Sequence, residues 1–404
     1  LNFLKVRFGF GTSAGYPPPY STRGSLATAT KVFQTSGGTI LNQNAVSNFF
    51  ANPDLTPEIH KELELGIEAK FFKNRVGVDV SLYTKDSEDL IIDLDLDNST
   101  GYSSSTVNSA SINNKGVEAI LNVIPVQSRD FTWDVSASFS LLRSEVISIA
   151  DGIDQIYVGG YVGRGNIAIP GLPYGILEGE VIRRDYGSLD GTDHTQVHWD
   201  DRTNYTPIVN ANGGYQFLGY GVIGNPQPDF VYGVTNTLSY KWATLRVQFD
   251  SQVGGDVFST TNSTLLGRGI LQETDFDRFV PVVTKGLSAD GTPNTTQTTA
   301  NAHYWPNTGV FYDENSIYDA SVMRLREVSL SFVAPKSFLN GTPFGNASLT
   351  LSAQNIWHYA WNTPSGTNFD PEVISYGAGS NARGFDEMTG PTAKKYGATL
   401  SLTF

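Results

Sequence analysis

Residues 62–83, ELELGIEAKFFKNRVGVDVSLY, admit few folds. Leu63, Leu65, Ile67, Ala69 and Phe71 alternate with Glu62, Glu64, Gly66, Glu68 and Lys70. After a polar turn at Lys73-Asn74-Arg75, Val76, Val78, Val80 and Leu82 alternate with Gly77, Asp79, Ser81 and Tyr83. Side chains on a strand point to opposite faces at every second residue, so the stretch predicts a hairpin with one apolar and one charged face. The charged face must meet water. The apolar face is long and uniform, as a lipid-facing surface requires.

The pattern recurs along the chain. LKVRFGFG sets Leu4, Val6, Phe8 and Phe10 against Lys5, Arg7 and Gly9, and KGVEAILNV sets Val117, Ala119, Leu121 and Val123 against Glu118 and Asn122. FTWDVSASFSLL, FVYGVTNTLSY, ATLRVQFDSQV, REVSLSFV, ASLTLSAQ and KYGATLSLTF alternate in the same way. Roughly ten to twelve such strands are predicted. Short turns, such as 127–130 and Lys241-Trp242, separate some of them; long Gly/Ser/Thr/Asn-rich regions at 12–52, 151–226, 257–315 and 357–390 separate others. Strands joined by short turns on one side and long loops on the other predict an all-β chain forming an antiparallel transmembrane β-barrel. Aromatics near strand ends (Phe71, Phe72, Trp133, Tyr240, Trp242 and Phe332) fit girdles at the lipid–water interface. No run of about 18 apolar residues exists, so no transmembrane helix is predicted. A mean hydropathy of −0.20 is ordinary for alternating strands. A soluble β-sandwich is the competing reading, but it needs neither such uniform strands nor long loops on one side.

The net charge of −13 argues against a nucleic-acid partner, whose phosphates would need neutralising. The absence of Cys removes disulfides, thiolate catalysis and Cys-ligated metal. Residues 11–15 fit G-x-S-x-G around Ser13, but that nucleophile needs a strand–turn–helix elbow, and a Gly/Pro-rich loop follows here. A chance match is the better reading, and no enzyme is predicted. His194 and His198, with Asp193, Asp200 and Asp201, read as a solvated loop; neither metal nor cofactor is predicted. On the polar face, Glu62, Glu64, Glu68, Asp79, Glu118, Asp134, Arg246 and Asp250 are expected to line a lumen. Aromatics in the long loops (Tyr161, Tyr174, Trp199, Tyr205, Tyr304, Trp305, Trp357 and Trp361) are the candidate substrate binders, since aromatic faces stack on sugars and pack on peptides.

Several stretches together resemble the SusC/RagA family of TonB-dependent outer-membrane transporters of Bacteroidota. The segment 52–91 is similar to the family's NP-L…E-x-G…N-R…D-x-Y hairpin through Asn52, Pro53, Leu55, Glu62, Gly66, Asn74, Arg75, Asp79 and Tyr83. NNKGVEAILNV looks like its N-K-G-x-E strand, and IGNPQPDFVYGV like its Pro-rich entry to a strand. GGDVFS, YDASVMRLREVSLSF and KKYGATLSLTF follow in the family's order. The acidic stretch after Arg183 departs from an EF-hand-like ligand order, which argues against a calcium site.

The resemblance implies a 22-stranded barrel with an N-terminal plug, of which this chain would supply about the C-terminal half. Residues 1–404 are therefore expected to be the C-terminal part of the barrel, with the plug and the N-terminal strands outside this sequence. It further implies import of oligosaccharides or peptides, a SusD-like surface lipoprotein as a lid, the TonB complex acting through the plug, surrounding outer-membrane lipid and a dimer of such pairs. The alternative is a non-transporting barrel that anchors a surface complex.

Overall fold

The computed structural model describes the chain apart from residues 20, 25, 35–39, 162, 186–198, 203, 308–312, 365, 368, 373–374 and 377–381. Ten strands follow one another through one sheet: β1 (Phe3–Gly15), β2 (Glu58–Phe71), β3 (Val76–Asp95), β4 (Ser104–Gln127), β5 (Phe131–Ser148), β6 (Phe230–Tyr240), β7 (Ala243–Val253), β8 (Val322–Val333), β9 (Asn346–Ala360) and β10 (Lys395–Thr403). Every neighbouring pair on this path is antiparallel. The two-residue strand Phe49–Phe50 adds to β4 in parallel.

Alternation within each strand becomes two separate faces because the register matches like with like. Val6, Ile67, Val80, Ala119 and Phe139 form one rung, and Arg7, Gly66, Ser81, Glu118 and Ser140 the next. The apolar face is bare: Phe8 is 74% and Leu65 45% exposed. That is the surface a barrel turns to lipid. The side-chain amide of Asn236, amid the apolar residues of this face, is satisfied where Trp133 Nε1 donates to its Oδ1 at 3.2 Å.

At one end the connections are short. Phe72, Lys73 and Asn74 take positive φ angles of 52°, 56° and 66° in the β2–β3 turn, and the Lys73 amide donates to Asn2 Oδ1 at 2.8 Å. Aromatics cluster there, with ring centroids 5.7 Å apart for Trp242–Phe332, 6.4 Å for Phe71–Phe72 and 5.1 Å for Phe344–Phe404. At the other end β3 (20 residues) and β4 (24 residues) overshoot the roughly 9–11 residues that cross a bilayer. Their tips stand in the layer formed by the long loops, where Ile92 and Leu94 pack against Val146, Ile156 and Ala168.

The buried core lies in that layer, not in the wall. A four-stranded sheet (Ile156–Tyr161, Arg164–Ala168, Ile176–Ile182 and Phe217–Gly224) packs on a three-stranded one (Asp256–Ser259, Ile317–Asp319 and Phe385–Asp386). Between them Leu177, Val181, Ile223, Phe258 and Phe385 make one cluster. The wall has no such core because each of its faces meets a solvent, lipid or water. Among the described residues, the outer edges of β1 and β10 have no strand partner. Unpaired backbone groups in hydrocarbon cost several kcal/mol each, roughly, so further strands must complete the wall.

Candidate functional site

The register places the polar candidates on one face. Glu68 stands opposite Asp79, Glu64 opposite Tyr83 and Glu62 opposite Lys85. Glu118 lies between Ser81 and Ser140, Asp134 and Arg246 flank Thr237, and Asp250 faces Gly233. Much of the acidity on this face is neutralised in place. Arg7 holds Asp79 through both oxygens, at 2.5 and 3.1 Å, and lies 3.9 Å from Glu68; Lys70 is 3.1 Å from Glu68. Asp250 receives Arg324 at 3.1 Å and Arg326 at 2.7 and 2.9 Å. A β-bulge at Arg326 lets both guanidiniums reach the same carboxylate, since the register steps from Leu325 to Glu327 there.

Those arginines also anchor the last long loop. Arg324, only 4% exposed, donates to Asp370 at 2.9 and 3.1 Å, and Arg326 donates to Glu372 at 2.9 Å. Burial alone would push the Asp370 carboxyl up. The adjacent Arg324, the Thr392 hydroxyl and the Glu372 amide outweigh it and hold the group below the usual carboxylate range. Farther along, Asn166 is fully buried: it accepts the Arg383 amide at 2.7 Å and donates to the carbonyls of Arg383 and Gly175 at 3.1 and 2.6 Å. The loop thus joins the wall to the outer layer. Asp370 and Glu372 carry no strand pattern, and only the fold brings them to Arg324 and Arg326.

Inside the outer layer, Arg164 pairs with Asp313 at 2.5 Å and lies over the Phe258 ring at 5.2 Å. Burial pushes the Asp313 carboxyl up despite Arg164; Glu180 is raised by burial and then by Asp313.

The loop aromatics divide into four groups. Tyr174 packs against the cluster of Val146, Ile156 and Ala168, and Trp199, which opens a short helix, packs against Ile167, Ile176 and Val222. Both fill the interior of the layer. Tyr161 is exposed, edge-on to Tyr376 at 6.5 Å, and Tyr205 is half-buried. Trp357 does not lie in a loop: β9 runs to Ala360, and past its bulge Trp357 pairs with Leu325 and Tyr359 with Met323 on the apolar face. Trp357, Tyr359 and Trp361, 46%, 58% and 40% exposed, form an outward aromatic strip at the long-loop border. The reason is that a strand continues for as long as it finds partners, whatever the composition after Trp357.

Tyr304 and Trp305 do line an open site. They lie on the helix Ala300–Asn307, which faces the helix Thr260–Gly267 across a cleft of about 540 Å³. Arg268, Phe276, Arg278 and Asn301 complete the lining. Arg268 sits over the Trp305 ring at 5.2 Å, and Phe276 lies 6.0 Å from Tyr304. Burial, reinforced by Glu273, raises the Tyr304 hydroxyl, which keeps it a neutral donor. The sequence pattern did not single out Arg268, Phe276 and Arg278: the segment is a 3-10 turn and loop without strand periodicity, and only the fold brings them to one cleft.

Residues 11–15 lie within β1, with Ser13 opposite His60 in extended backbone, so the G-x-S-x-G match makes no elbow. The positions of Asp193, His194 and His198 fall outside the described residues; Asp200 and Asp201 belong to the short helix Trp199–Arg202.

An antiparallel wall with a bare apolar face, a charged inner face and a folded layer of long loops at one end defines part of an outer-membrane β-barrel. The family model "TonB dependent receptor-like, beta-barrel" matches residues 3–250, and the chain belongs to that family. It is 27% identical over 99% of its length to TonB-dependent receptor P3 of Formosa agariphila, covering 39% of that protein. It is 22% identical over 82% of its length to TonB-dependent receptor SusC of Bacteroides thetaiotaomicron, covering 32% of it. The RagAB peptide transporter structure superposes over 99% of the chain with a TM-score of 0.68 at 20% identity, and 41% of that chain is covered. The chain thus spans 32% to 41% of the length of these relatives. It is part of a receptor barrel of the outer membrane.

Proposed function

We propose that this chain is the C-terminal portion of a TonB-dependent importer whose polar lumen passes oligosaccharides or peptides. The observation that supports it best is the continuous polar face of the wall, topped by a folded layer with a cleft that offers aromatic rings, guanidiniums and an amide together. Glu62, Glu64, Glu68, Asp79, Glu118, Asp134, Arg246 and Asp250 are the lumen lining in this reading, with the arginines limiting its negative field. Tyr304 and Trp305 are the binding aromatics, with Tyr161 and Tyr205 as accessory contacts. The plug and remaining strands come from the rest of the polypeptide. A SusD-like lipoprotein closes over the long loops, TonB supplies the energy, and two such pairs form a dimer.

Uptake of labelled oligosaccharides and peptides by cells making the full-length protein tests this. Import that requires both TonB and an intact cleft supports the reading, with Tyr304→Ala/Trp305→Ala lowering uptake by about tenfold, as expected for losing about 1–2 kcal/mol of aromatic contact. Uptake unchanged by removing TonB, or none for either class, supports the anchoring role instead.

A further inference from the structure

The apolar face of the wall is interrupted at one place by positive charge. Phe10, Leu63, Thr84, Lys115 and Arg143 form a single rung across β1 to β5, on the outward face. Leu63 and, below it toward the short turns, Leu65, Leu82, Val117 and Leu141 line a groove of about 450 Å³, with Lys115 and Arg143 at its rim.

The height of that rim matters. Arg143 lies ten residues beyond the girdle residue Trp133 on the same face of β5. At about 3.3 Å per residue and a tilt near 40°, the separation along the barrel axis is about 25 Å, the height of an outer-membrane apolar band. The two cations therefore sit where the outer leaflet's acyl chains give way to headgroups.

Their surroundings leave them available. Lys115 is exposed and has no ion pair or hydrogen bond among the described residues. Arg143 gives Nη2 to Asp229 at 3.0 Å and Nη1 to backbone carbonyls, and its side chain is still 54% exposed. The next rung outward mixes signs: Lys61 is bound to Glu88 at 2.6 Å, Asp86 accepts from Asn113 at 2.5 Å, and Glu145 is exposed. Cations alone border the groove itself.

The geometry points to a site for a phosphorylated lipid of the outer leaflet, with one acyl chain along Leu65, Leu82 and Val117 and its phosphate on Lys115 and Arg143. A hydrocarbon groove that ends in cations at headgroup depth matches an anionic amphiphile. A neutral lipid would leave Lys115 without a counter-charge at the interface.

Native mass spectrometry of the full-length protein in detergent tests this, titrating diphosphorylated lipid A and its dephosphorylated form. The phosphorylated lipid is expected to bind at least tenfold more tightly. Lys115→Ala/Arg143→Ala should weaken it by about thirtyfold, equivalent to about 2 kcal/mol at roughly 1 kcal/mol per interfacial cation. The same variant should leave the dephosphorylated form unaffected, and Lys115→Arg should retain binding. Heat-modifiable migration on gels confirms that each variant is a folded barrel. Equal binding of both lipids, or parental affinity in the double variant, overturns the site. So does a dimer mass that the double variant abolishes, which would make this face a contact between copies.

Discussion

Arg324→Ala is expected to release the last long loop from the wall while leaving the barrel intact. Arg324 is 4% and Asp370 3% exposed, and the guanidinium spans Asp370 on the loop and Asp250 on the wall. Removing one partner of a buried pair typically costs about 3–5 kcal/mol, because the other charge is left uncompensated. Asp370 would keep the Thr392 hydroxyl at 2.8 Å and the Glu372 amide at 3.1 Å, and Asp250 would keep Arg326. The lower end of the range, about 3 kcal/mol, is therefore expected, a rise in local opening of about a hundredfold. Hydrogen exchange followed by mass spectrometry on the full-length protein reads it directly. Amides of the loop, such as that of Ser375, which donates to the Phe385 carbonyl at 3.0 Å, should lose protection, while β1 to β4 keep theirs. Arg324→Met/Asp370→Leu should restore most of the protection, since an apolar pair carries no desolvated charge. Less than a threefold change in Arg324→Ala would show that the pair does not hold the loop, and would refute the reasoning.

Acid should open the same loop. The folded Asp370 carboxyl is held below its unfolded value near 4, so its contribution is fully present above that pH and is lost as pH falls through the folded pKa. Local opening at the Ser375 amide, taken from exchange corrected for the intrinsic rate at each pH, should rise from pH 6 to pH 3, and a flat corrected profile would contradict the assignment. Asn166→Leu should destabilise the outer layer by about 2–4 kcal/mol, since it leaves the Arg383 amide and two carbonyls without partners in a dry site; the melting transition of that layer is the readout. Phe258→Ala, at a fully buried ring in the main cluster, should cost about 3–5 kcal/mol. Its signature is proteolytic cutting within 156–224 while the barrel still migrates as a folded species. Cutting no faster than in the parent would place the stability of the layer elsewhere.

The wall was legible in the sequence because its determinant is local. A period of two in residues 62–83 or 131–142 forces two faces whatever the partner strand is, and a turn such as Lys241-Trp242 leaves no choice but an antiparallel neighbour. The outer layer was not legible. Residues 151–226 and 257–315 carry too many Gly, Asp and Thr residues to show a period, and their sheets form because distant segments cover one another, as Phe385 covers Phe258. The length of β9 escaped for a related reason: the bulge at Arg326 changes the parity of β8, so that Leu325 and Met323 face outward and pair with Trp357 and Tyr359, which composition groups with the loop.

The sequence by itself determined a lipid-facing barrel wall, its polar lumen face and the side on which its long loops lie, since alternation and turn length act between residues adjacent in the chain. Only the tertiary structure decided which charges are neutralised, which aromatics are open to a ligand and which merely fill space, and that Lys115 and Arg143 share the rim of one groove. Those outcomes depend on residues dozens to hundreds of positions apart coming into contact, as Arg164 meets Asp313 at 2.5 Å and Asn166 meets Arg383 at 2.7 Å. Periodicity along the chain carries no information about such meetings.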